Sequence, residues 1–77
     1  MKENEAFPAL ARRFMDARQK QPGWKGRGKW WALAAIEQAA RGFHQAVCEG
    51  SEADQEDAAL DVAAACLRFI MEEHKGD

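Results

Sequence analysis

Charged and soft side chains four residues apart are what this sequence offers to chemistry. On a helix Asp57 and Asp61 share a face and could jointly hold a hard, oxygen-seeking cation such as Mg²⁺. The plainer reading is two solvated surface carboxylates. Glu37 and Arg41 have the same spacing with opposite charge, which makes a surface ion pair on one helix. His44 and Cys48 repeat it with soft ligands, but two ligands on one helix do not make a metal site.

A second candidate is the run from Pro22 to Trp31, which interleaves Lys25, Arg27 and Lys29 with glycines and with Trp24, Trp30 and Trp31. Cations neutralise phosphates and indole faces stack on bases, so Lys25, Arg27, Lys29, Trp24 and Trp30 are candidate substrate or phosphate contacts. The alternative is a glycine-rich loop pinned by its tryptophans onto the helices, with Lys and Arg left in water. The pattern GxxxxGK[ST] is absent, so the loop is not a P-loop.

Three helical segments must position these groups. From Phe7, apolar Phe7, Leu10, Ala11, Phe14 and Ala17 share a face, with Pro8 in a first turn that tolerates it. Pro22 and Gly23 then stop the helix. In the second segment Ala32, Leu33, Ile36, Ala39, Ala40, Phe43 and Val47 form a stripe expected to face the core. Gly50 ends it. Ser51, with Asp54 three residues later, opens a third helix whose acidic first turn suits its positive end. Its apolar face runs from Ala59 to Met71, and Asp54, Asp57, Asp61, Arg68 and Glu72 are expected on the opposite, solvated face.

The sequence therefore predicts an all-α, single domain over residues 1–77, with helices near 7–20, 29–48 and 52–73 and a long antiparallel hairpin of the second and third. The scarcity of β-branched residues and the two prolines leave little for a sheet. No apolar run is long enough to cross a membrane, and the expected location is cytoplasmic. Cys48 and Cys66 would lie too far apart along the hairpin for a disulfide. Charge is divided: nine Lys/Arg against four Asp/Glu through Cys48, then two against nine. Such fields can hold a hairpin together or promote association. With 77 residues and a second helix apolar on more than one side, the bundle is expected to complete its core as a homodimer.

The order of these pieces resembles the MazG-like, all-α nucleoside triphosphate pyrophosphohydrolases, in particular the short phage-type members. Gly23-Trp24-Lys25 is similar to that family's basic opening, Glu37-Gln38-Ala39-Ala40-Arg41 to its first acidic motif, and Ala58-Ala59-Leu60-Asp61-Val62-Ala63 to its second. The resemblance spans roughly Phe14 to Met71. It implies hydrolysis of a (d)NTP to monophosphate and pyrophosphate at Mg²⁺ held by four acids. The matching positions here are Gln38, Arg41, Ala58 and Asp61, of which Asp61 alone is acidic, with Glu37 and Asp57 nearby.

The resulting expectation is a MazG-like protein with a degenerate nucleotide site, a pseudoenzyme acting by protein binding or as a regulatory or inhibitory module. Neither cofactor nor metal is expected, and Asp61 is the weak candidate ligand. Arg41 is expected to take the cation's place by pairing with Asp61 across the hairpin. Two alternatives stand beside it: an active pyrophosphohydrolase using Mg²⁺, and an inhibitor whose acidic third helix imitates nucleic-acid phosphates.

Overall fold

A computed structural model describes residues 1–22, 24 and 26–73; Gly23 and Lys25 lie outside the described residues. The described chain is helical, with α1 over Glu3–Lys20, α2 over Lys29–Glu49, α3 over Glu52–Arg68 and a π-helical turn over Phe69–Glu73. No described helix is long and apolar enough to cross a membrane.

Helix α1 begins a turn ahead of the expected Phe7. The Glu5 carboxylate accepts from the Lys2 N–H at 3.1 Å, and Glu3 and Glu5 complement the positive end of the helix. Pro8 consequently falls inside the helix rather than in its first turn, and lacks the N–H that would bond the Asn4 carbonyl.

Helix α2 starts from Gly28, whose φ of 93° and ψ of 161° belong to a region essentially restricted to glycine. Gly28→Ala meets no neighbouring atom, so its effect is purely conformational. The expected loss is about 1–3 kcal/mol of stability in chemical denaturation. A midpoint equal to that of the parent chain would refute the restriction. At the other end of α2, a Cβ on Gly50 would lie 2.9 Å from both the Ala46 carbonyl oxygen and the Asp54 Cβ, so the two-residue turn needs glycine for space.

Helix α3 opens with a closed capping box. Ser51 Oγ accepts from the Asp54 N–H at 3.2 Å, and Asp54 Oδ2 accepts from the Ser51 N–H at 3.1 Å. This short turn folds α3 back along α2, so that the π-helical turn reaches the start of α2. Among the described residues the backbone of α1 approaches that of α3 and not that of α2. The spatial order is thus α1, α3, α2, with α3 central. The Met1 ammonium adds an ion pair to Glu56 of α3 at 2.8 Å.

The core differs from the expected one. Among the described residues the buried apolar side chains are Phe14, Trp24, Ala32 and Ala64. Of the α2 stripe only Ala32 is buried, Ile36 and Ala39 are half-buried, and Leu33, Ala40, Phe43 and Val47 are exposed. The reason is size. Helix α2 lays its small Ala32, Ala35, Ala39 and Ala46 toward α3, which allows close approach and turns the larger side chains aside. Phe7, assigned to the core face of the first helix, is 69 % exposed. The largest correction concerns Arg68, expected on the solvated face and found 2 % exposed.

Candidate functional site

Between α2 and α3, closed at one end by Gln21, runs an open cleft of about 560 Å³. Helix α2 contributes Trp31, Ala35, Gln38 and Gly42, and α3 contributes Asp57, Ala58 and Asp61. Three of the four positions matched to the pyrophosphohydrolase motifs, Gln38, Ala58 and Asp61, therefore line one space. Arg41 and Glu37 do not line it; both are exposed on α2. Helical phase explains this, because positions 37 and 41 are turned by about 100° from 38 and 42.

The expected Arg41–Asp61 pair is replaced by another. Arg13, reaching across from α1, donates through Nη2 to Asp57 Oδ1 and through Nη1 to Asp61 Oδ1, and bonds the Asp57 carbonyl oxygen at 3.1 Å. The two carboxylates, Asp57 ahead of Asp61, push the guanidinium further above its ordinary pKa, chiefly by accepting its hydrogen bonds. Both acids are more than half exposed, so each bond contributes at most about 1 kcal/mol to stability. Their chemical effect is larger than their energetic one: one oxygen of each acid already accepts from a cation of α1, whose positive charge disfavours a second cation beside it.

The Trp-rich loop is organised by stacking. Trp24 is buried and meets Trp31 edge-on, with centroids 5.2 Å apart and an interplanar angle of 87°. Arg27 lies 5.0 Å over Trp31, Lys29 lies 5.6 Å over Trp30, and Arg68 lies 4.8 Å over Trp24. Each indole thus carries a cation near one of its two faces. Trp30 is largely exposed. The candidate contact Lys25 lies outside the described residues.

His44 Nε2 is 3.8 Å from Cys48 Sγ, a contact within one turn of α2. Both cysteines are free. Among the described residues no group of three or more His, Cys, Asp or Glu is arranged to hold a metal ion.

Sequence reasoning missed two arginines. Arg13 carried no local signal, because its partners are more than forty residues away. Arg68 carried one: it is the only charge in the apolar run Val62–Met71. Its Nη1 donates to the Ala17 carbonyl at 3.1 Å, its Nη2 to the Gln21 carbonyl at 2.7 Å and its Nε to Glu72 Oε2 at 2.6 Å. These two carbonyls lie at the end of α1, where a helix runs short of donors; Ala17 also takes the Gln21 N–H, at 2.9 Å. Arg68 therefore caps α1 from α3.

Comparison with known proteins finds no matching family model, no similar curated protein and no similar solved structure.

Proposed function

We propose that this chain is a MazG-like helical protein whose nucleotide site has become an internal ion pair and which acts by binding another protein, as a regulatory module or as a homodimer. The observation that carries the reading is the Arg13 bridge to Asp57 and Asp61, two acids that line the cleft where the resemblance would place Mg²⁺. A guanidinium there satisfies the carboxylates without a metal, and glutamine and alanine at positions 38 and 58 supply no replacement charge. Exposed Leu33, Phe43, Val47 and Ile70 support action through a surface.

A second reading, an active pyrophosphohydrolase, draws support from the convergence of Gln38, Asp57 and Asp61 on one open cleft. Calorimetric titration with Mg²⁺ and assay of pyrophosphate release from each common (d)NTP separate the two. The expected results are no binding below millimolar Mg²⁺ and no pyrophosphate. Magnesium-dependent turnover that vanishes in Asp61→Ala would establish the enzyme and remove the proposal.

A further inference from the structure

Resting on the reading that the chain acts through a binding surface, we infer that its partner is a second copy, joined through an antiparallel pairing of α2 with α2. Helix α2 carries two apolar stripes. The alanine row turns toward α3; the other consists of Leu33, Ile36, Ala40, Phe43 and Val47, at steps of three, four, three and four. That is the a/d alternation of a coiled-coil seam. Leu33, Phe43 and Val47 are 43 %, 38 % and 53 % exposed, Ala40 is exposed and Ile36 is half-buried. The core already described is too small to make this surface superfluous.

Complementarity selects the occupant and its direction. With α2 antiparallel to its copy about a two-fold axis between Arg41 and Gly42, Phe43 meets Ala40 of the second copy, and Ile36 meets Val47. Large side chains then face smaller ones in each layer. Beside the seam, Glu37 faces His44 of the copy, and the two-fold repeats the pair. The Lys29 end of one helix lies beside the Glu49 end of the other, where the acidic first turn of α3 begins with Glu52 and Asp54. The helix dipoles also oppose. A parallel pairing instead sets Phe43 on Phe43, Ala40 on Ala40 and Glu37 near Glu37, with a clash, a gap and a like-charge contact.

The test uses the full chain with Cys48→Ser and Cys66→Ala as the common background, sedimentation velocity and a short bis-maleimide cross-linker. Ala40→Cys places a thiol near the axis and is expected to cross-link as a dimer. Leu33→Cys places its thiols about 26 Å apart along the axis, at 1.5 Å per residue, and is expected not to. Glu37→Lys is expected to weaken the dimer roughly five- to tenfold, and adding His44→Glu is expected to restore it, because the pair is reversed on both sides. Cross-linking of Leu33→Cys as readily as Ala40→Cys, or a dimer with neither linked, overturns the pairing. A monomer throughout the micromolar range overturns self-association itself. Each of these results is read independently of magnesium binding and pyrophosphate release.

Discussion

Arg68→Ala is expected to lower the unfolding free energy by roughly 3–5 kcal/mol, the largest single loss on α3. One side chain serves three acceptors: the Gln21 carbonyl, the Ala17 carbonyl, which also takes the Gln21 N–H, and the largely buried carboxylate of Glu72. Truncation strands the Glu72 charge, removes a donor from both carbonyls and strips Trp24 of the cation over its face. Arg68→Lys keeps the charge but not the planar fork, so it cannot serve two carbonyls and a carboxylate at once, and most of the loss is expected to persist. A chain of this length has only about 4–12 kcal/mol to lose, at 0.05–0.15 per residue, so urea titrations of the variants belong at low temperature. Near-neutral behaviour of Arg68→Ala would show that α1 is not capped from α3. Combining it with Glu72→Gln should recover part of the loss, since one of the stranded charges is then gone.

At Trp24 the sign depends on what replaces the ring. Trp24→Ala is expected to cost about 3–5 kcal/mol, the usual range for emptying an aromatic core position, because Trp24 packs between Arg68 and the edge of Trp31. Trp24→Phe is expected to cost far less than an ordinary tryptophan-to-phenylalanine change in a core. The Trp24 Nε1 is buried without a hydrogen-bond partner among the described residues, so phenylalanine removes a donor that was already a liability of about 1–3 kcal/mol. Phenylalanine also keeps a face for Arg68. Equilibrium unfolding of both variants, and of each combined with Arg68→Ala, gives the coupling; strict additivity would mean that ring and guanidinium do not interact.

Much local chemistry was legible in the sequence, though the start of α1 at Glu3 was not and no Glu37–Arg41 ion pair forms among the described residues. The Ser51–Asp54 box, the turn at Gly50 and the helical character of the chain each rest on residues a few positions apart. The pairing of helices was not legible to the same depth. The α2 stripe of Leu33, Phe43 and Val47 looked like a core because periodicity reports an apolar face but not which of two apolar faces meets α3. The alanine row won, since small side chains let backbones approach closely. Asp57 and Asp61 were visible as a pair, and Gln38, Ala58 and Asp61 do line one cleft. Their cation was assigned to Arg41 because that residue occupied a motif position. The actual donor, Arg13, comes from a helix outside both motifs, and no spacing rule reaches across that distance.

Because α1, among the described residues, packs on α3 and not on α2, its association with the rest of the chain is formally a binding reaction with a tethered ligand. The covalent connection sets the effective concentration, and the Arg13 and Arg68 contacts set the intrinsic affinity. The hairpin of α2 and α3 is the receptor. Substitutions at the end of α1 or along its α3-facing side therefore change occupancy of a docking equilibrium, and they do so without altering any contact between the two helices that form the hairpin.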